Sequence, residues 1–214
     1  MKRLGILLTF ILGFAMGAAH AAPAPNQLVR ERTDKIIELL KKNKDTYAKD
    51  HKKLYAMVQE QVLPYFDFRA MSRLVLGKHW REASEDQRNR FANEFRDLLV
   101  RTYATALLKY TNEEVAYLPF RSSPDDKTVV VKTKVKQGGG GPVIPIHYSF
   151  YITDNAWKVF DVTIEGVSLV TTYRSTYAEK INNAGMDGLI AYMTKSDKDD
   201  AINKARGQKA GSSK

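Results

Sequence analysis

The hydrophobic pattern changes period once along the chain, after Tyr110, and that change divides a helical half from a sheet. Val29, Thr33, Ile36, Ile37 and Leu40 recur at helical spacing, with Arg30, Arg32, Glu38 and Lys41 assigned to the opposite side. Asn43-Lys44-Asp45 interrupts this helix, and a second one carries Leu54, Met57, Val58 and Val62 up to Leu63-Pro64. A proline suits the first turn of a helix, so Pro64 predicts a third one running to Leu76 and capped by Gly77. Ser84 followed by Gln87 is a capping-box pattern. It opens the clearest helix, with Phe91, Phe95, Leu98, Leu99, Thr102, Tyr103, Ala106, Leu107 and Tyr110 on one wide face.

Beyond Tyr110 the alternation is two. Val115–Leu118 predicts a strand, and Val129–Lys136 another, with Lys132, Lys134 and Lys136 opposite Val131, Thr133 and Val135. Gly138–Gly141 and Pro142 form a hairpin loop before the alternating Ile144, Ile146, Tyr148, Phe150 and Ile152. Asp154-Asn155 turns the chain into a strand begun by Trp157, Val159 and Asp161, and Val162–Val170 continues extended or enters a helix. Helical spacing returns at Tyr173, Tyr177 and Ile181, and Asp187 is assigned as the cap of a last helix through Leu189, Ile190 and Met193. Helices, an antiparallel sheet of about four strands, then helices again make an α+β fold.

The first residues change the compartment. Lys2-Arg3, the apolar run Leu4–Met16 and the small-residue triplet Ala19-His20-Ala21 are the three parts of a secretory signal. Residues 1–21 are therefore expected to be cleaved on export, leaving one domain over 22–194, helical to about 112. A basic polar tail over 195–214 is expected to be disordered. The chain has no cysteine, which excludes disulfides, thiolate metal sites and thiol nucleophiles, and an exported cysteine-free chain suits a bacterial periplasm. The net charge of +10 falls to about +5 on residues 22–194 once signal and tail are set aside. Export lowers the case for nucleic acid, and a modest basic surface fits acidic partner proteins or anionic headgroups.

Catalytic motifs are scarce. His51, His79 and His147 show no metal-ligand spacing, so no metal or cofactor is expected. Gly166-Val167-Ser168-Leu169-Val170 has a serine between small and apolar neighbours but lacks the flanking glycines of a nucleophile elbow. Gly138–Gly141 lacks the Lys-Ser/Thr of a phosphate loop.

Two blocks carry a resemblance. Val62-Leu63-Pro64-Tyr65-Phe66-Asp67-Phe68-Arg69 through Gly77-Lys78-His79-Trp80, and Asp161-Val162-Thr163-Ile164-Glu165-Gly166-Val167-Ser168 through Arg174 with Gly185–Ile190 after it, resemble the toluene-tolerance family of periplasmic phospholipid-binding proteins. The resemblance implies a nuclear-transport-factor-like twisted sheet wrapped by helices, with a helical subdomain and an apolar cavity for acyl tails. It implies no catalysis, and a cargo of glycerophospholipid in place of a cofactor. The partners it implies are an outer-membrane Mla lipoprotein complex and an inner-membrane Mla ABC transporter reached through an MCE-domain subunit, served by a monomeric carrier that maintains outer-membrane lipid asymmetry. Burying acyl chain is favourable by about 0.8 kcal/mol per CH₂, so such a carrier needs a long apolar cavity more than a polar site.

The residues expected to line it are Phe66, Leu74 and Val75, Leu99, Tyr103 and Leu107 on the long helix, and Ile146, Tyr148 and Phe150 in the sheet. Ile164, Val167, Leu169 and Val170 come from the second block, and Arg69, Arg73 and Lys78 are assigned to the cavity mouth. Two other readings stay open. An isomerase or hydrolase would draw its acid and base from Asp161, Tyr148 and His147, although His147 and Tyr148 point to opposite faces of a strand. A ligand-free adaptor would carry the same fold with no cargo.

Overall fold

The structure, a computed structural model, describes residues 23–109, 113–123, 125–137 and 140–211. The expected signal segment, Tyr110, and Gly138 and Gly139 of the glycine loop lie outside the described residues. In chain order the elements begin with α1 (Pro25–Lys49), α2 (His51–Gln61), a 3-10 turn (Leu63–Tyr65), α3 (Phe68–Leu76) and α4 (His79–Glu82). Next come α5 (Glu85–Ala104) and a second 3-10 turn (Thr105–Lys109). The sheet follows as β1 (Glu114–Tyr117), β2 (Thr128–Lys136), β3 (Val143–Thr153), β4 (Ala156–Ile164) and β5 (Val167–Ser168), and α6 (Leu169–Gly211) closes the chain.

Asn43 kinks α1 without ending it, at φ −119° and ψ 19°, while its side-chain amide donates to the Leu39 carbonyl at 3.0 Å. The helix expected over 64–76 is split. Its proline sits in the 3-10 turn, Phe66 is extended and bridges to Val159, and the Asp67 amide donates to the Val159 carbonyl at 2.9 Å. Asp67 then caps α3 by accepting from the Ala70 amide at 2.8 Å. The cap residue and the hydrogen bond to the sheet therefore fix the start of α3 four residues later than the proline suggested. Gly77 ends α3 at φ +55°, a conformation that favours glycine. Ser84 and Gln87 form the capping box reciprocally at the start of α5.

The five strands form one antiparallel sheet in the order β1-β2-β3-β4-β5, one more than expected because the two residues of β5 pair with β4. Two-residue turns with both φ positive, Asp154-Asn155 and Glu165-Gly166, join β3 to β4 and β4 to β5, matching the sheet twist. Between Ser149 and Phe150 the register shifts, so that Phe150 pairs with Val159 while Tyr148 pairs with Val162. The bulge puts Val159 and Val162 on one face and sends Asp161 to the other, opposite to what strict alternation from Val159 implies.

Three apolar clusters result. Met71, Val75, Leu76, Phe91, Phe95 and Leu99 meet Val170, Tyr177, Leu189, Ile190 and Met193 of α6. Val129, Val131, Phe150, Val159 and Val162 of the sheet meet Leu28 and Val29 of α1. Leu40, Tyr47, Leu54, Met57, Val58 and Ala104 form the third. Phe66 and Leu169 pack against both of the first two clusters and join helices to sheet. Gly185, at φ +69°, breaks the helical run of α6 where the sequence predicts two helices. Asp187 spends its oxygens on Gln87 and Arg90 of α5, at 2.8 and 2.7 Å, so it ties two helices together.

Candidate functional site

The first turns of α1 lie across the apolar face of the sheet, and Tyr65 and Phe66 flank the crossing. Between them is a gap of about 120 Å³ whose walls include Leu28, Val29 and Ile36 on one side and Tyr148, Phe150 and Val159 on the other. Its polar members are Arg32, Thr33 and Gln61, and no acidic side chain lines it. Burial pushes the Tyr148 phenol up to about 12, against a smaller lowering effect of its hydrogen bond with Thr133. A second, more open depression of about 450 Å³ lies over the α1–α2 hairpin, with Lys35, Lys53 and Glu60 among its lining residues. The 120 Å³ gap is smaller than the ~300–1,000 Å³ of usual ligand pockets, so the deep cavity expected from the resemblance is present here only as a narrow gap.

The residues assigned to that cavity divide between clusters. Phe66, Tyr148 and Phe150 line the gap, and Ile146 and Ile164 pack against the sheet cluster beside it. Val75, Leu99 and Val170 are buried in the helical cluster, and Leu74 and Leu169 pack against it. Leu107 packs against the α1–α2 cluster. Tyr103 is 37% exposed near the end of α5, and Val167 is 57% exposed just past the Glu165-Gly166 turn. The sequence missed Leu28, Val29, Arg32, Ile36, Tyr65 and Val159 as gap residues. For Arg32 a signal existed: Leu28, Arg32 and Ile36 are spaced by four, so they share a helix face.

None of the three cations assigned to the mouth lines the gap. Arg69 donates to Asn89 at 2.9 Å, pairs with Glu85 at 2.9 Å and stacks over Trp80 at 5.2 Å, a clamp between α3 and α5. That hydrogen bond holds the exposed Glu85 carboxyl below its ordinary range. Arg73 lies in the last turn of α3 and Lys78 precedes α4, both exposed.

The groups of the enzyme reading serve structure. Asp161 accepts from the Ser168 hydroxyl at 2.6 Å and from the Val170 amide at 3.1 Å, and the Ser168 hydroxyl accepts from the Thr171 amide at 3.1 Å. Together they cap the start of α6. His147 pairs across the sheet with Lys132 and Thr163, while Tyr148 faces the gap. Asp161→Ala is expected to cost about 1–2 kcal/mol of stability, as lost caps do, without changing ligand uptake. Urea unfolding and a loading assay check this, and loss of uptake in a folded variant would contradict the capping role. Among the described residues no group of three or more His, Asp or Glu could hold a metal ion.

The comparisons with known proteins bear on this arrangement. The model of the MlaC protein family matches residues 30–195. The chain belongs to the MlaC family. Among its relatives, the intermembrane phospholipid transport system binding protein MlaC of Haemophilus influenzae is 26% identical over 200 residues, covering 92% of this chain and 94% of that protein. The toluene tolerance protein ttg2D of Pseudomonas putida is 29% identical over 182 residues, covering 85% and 83%. In structure, the phospholipid-binding protein of Ralstonia solanacearum, solved in complex with a phospholipid, superposes with a TM-score of 0.75 at 30% identity, covering 81% of this chain and 96% of that one. The MlaC-family resemblance and the α+β fold with an open antiparallel sheet both stand. The Haemophilus influenzae and Ralstonia solanacearum relatives are described as transport or binding proteins, not as enzymes.

Proposed function

We propose that this chain is a periplasmic phospholipid carrier of the Mla type, exported by a cleaved signal over residues 1–21. In this reading it shuttles glycerophospholipid between an outer-membrane lipoprotein complex and an inner-membrane ABC transporter, and its headgroup stays at the protein surface. The observation that carries the reading is the phospholipid-bound relative, similar over 96% of its own length, taken with an apolar gap between α1 and the sheet in this chain. Acyl tails would enter there. A gap of about 120 Å³ holds no pair of tails, so loading requires α1 and the Leu63–Tyr65 turn to separate from the sheet. α1 packs on it through Leu28 and Val29, while Tyr117 also donates to Asp34 at 3.4 Å and Lys158 donates to the Pro64 carbonyl. Opening therefore exchanges these two hydrogen bonds for water and the apolar contacts for acyl chain, at about 0.8 kcal/mol per CH₂ buried.

The test is the purified protein itself. Mass spectrometry of an organic extract is expected to return phospholipid, and lipid-stripped protein is expected to take phospholipid from vesicles. A protein that arrives lipid-free and takes up none overturns the reading.

A further inference from the structure

Arg32 is out of place in the gap. It projects from α1 among Leu28, Ile36 and Tyr65, with no acidic side chain on the lining. Its guanidinium lies 5.3 Å from the centre of the Tyr65 ring, and it makes no ion pair among the described residues. Its Nε is buried without a hydrogen-bond partner. An N–H in that position forfeits its hydration with no partner in return, a cost of about 1–3 kcal/mol and more for a charged group. Buried donors almost always have partners, and those without one call for an explanation. A guanidinium offers five donors in a planar fork that fits the oxygens of a phosphate two at a time. Lysine or a neutral side chain on the same helix face would leave no such fork.

We propose that Arg32 receives the phosphodiester of the bound phospholipid, holding it at the rim while the tails run between α1 and the sheet. This rests on the carrier reading above and adds the residue that recognises the polar end. The Tyr65 ring holds the guanidinium plane from one side through cation–π attraction, and the phosphate supplies the missing acceptor. Because Arg32 belongs to α1, the same contact ties the helix that must move during loading to the cargo that enters. Phosphate therefore favours the loaded form, and a neutral lipid with identical tails lacks that contribution.

The experiment compares two ligands in the same nonionic detergent: phosphatidylglycerol, and diacylglycerol with matching tails and no phosphate. Apparent affinities are measured by gel filtration and mass spectrometry of bound lipid, for the wild-type chain, Arg32→Ala and Arg32→Lys. Arg32→Ala is expected to bind phosphatidylglycerol about tenfold to a hundredfold more weakly, the range for a charge-assisted hydrogen bond, and diacylglycerol within about twofold of wild type on the same scale. Arg32→Lys keeps the charge without the fork and is expected to fall between, which also serves should the alanine variant fold poorly. Unchanged phosphatidylglycerol binding in Arg32→Ala overturns the assignment and leaves the carrier reading intact. Equal loss for both lipids overturns it as well, because Arg32 then acts only through packing. Displacement of phosphatidylglycerol by equimolar inorganic phosphate overturns the lipid as the source of the anion. A wild-type chain that binds neither lipid overturns the carrier reading itself.

Discussion

Phe95→Ala is expected to remove about 3–5 kcal/mol of stability, the usual cost of deleting a buried phenyl ring from a close-packed core. Phe95 is fully buried. Its ring lies 5.8 Å from Phe91, nearly parallel, and meets Tyr173 edge-on at 5.2 Å and Tyr177 edge-on at 6.4 Å. Such pairs add about 0.5–1.5 kcal/mol beyond buried area, and the cavity left behind is walled by α5 and α6, which are also fastened by Arg90 to Asp187 at 2.7 Å. That exposed pair adds little, so the ring cannot be replaced by it. The loss is a large share of the 5–15 kcal/mol a domain commands, and corresponds to about 6–20 °C in melting temperature for a chain of this size. Urea unfolding with an unchanged slope checks it. A loss below about 1 kcal/mol would mean that the cluster collapses to fill the space. Phospholipid uptake well below the melting point is expected to persist, because Phe95 belongs to the helical cluster and lines no part of the gap.

The separation between those two clusters shows where sequence was informative and where it was not. Features set within a few residues were legible: the Ser84/Gln87 box, the Gly77 cap, the Asp154-Asn155 turn, and the Val129-Val131-Thr133 face of β2. Features set by contact with a distant element were not. Pro64 reads as a helix start until the Asp67 amide is seen to bond the Val159 carbonyl ninety-odd residues away. Val162–Val170 reads as a stretch that continues extended or enters a helix, yet the Glu165-Gly166 turn reverses it, leaves Val167 in solvent and starts α6 only at Leu169. Ser168 sits between small and apolar neighbours and is a helix cap, because its partner is Asp161, brought across by the β4 bulge. By its charge Arg32 reads as a residue on the outside of α1. Only the crossing of α1 over the sheet reveals that its face, shared with Leu28 and Ile36, is the covered one. Of the residues assigned to the cavity, Phe66 lines the gap, whereas Val75, Leu99 and Val170 are buried in the separate helical core, a division set by which distant element each one meets.

Tyr148→Glu is expected to abolish phospholipid loading at neutral pH while Tyr148→Phe preserves it. Tyr148 lines the gap from β3, between Val131 on β2 and Val162 on β4, so an acyl chain under α1 would lie on it. The site already disfavours charge, since burial pushes the phenol up to about 12. The same burial acts on a carboxylate at this position before any tail arrives, so the ordinary glutamate value sets only the upper limit of what loading costs. Beneath a tail it must be neutral, because burying an unpaired carboxylate costs far more than protonating it. Taking an ordinary Glu near 4.3, protonation at pH 7 costs up to about 3.7 kcal/mol, or roughly 500-fold in affinity. The sign follows from which state binds the proton: the loaded form takes it up, so loading improves about tenfold for each pH unit lowered and levels off near pH 4. The phenylalanine variant loses only the hydrogen bond with Thr133, about 1 kcal/mol of stability, and its gap stays apolar. Lipid bound from phosphatidylglycerol vesicles, read across pH 4–8 for all three proteins, checks the argument. Equal loading of Tyr148→Glu and wild type at pH 7, with both folded by circular dichroism, would take the tails away from this face of the sheet.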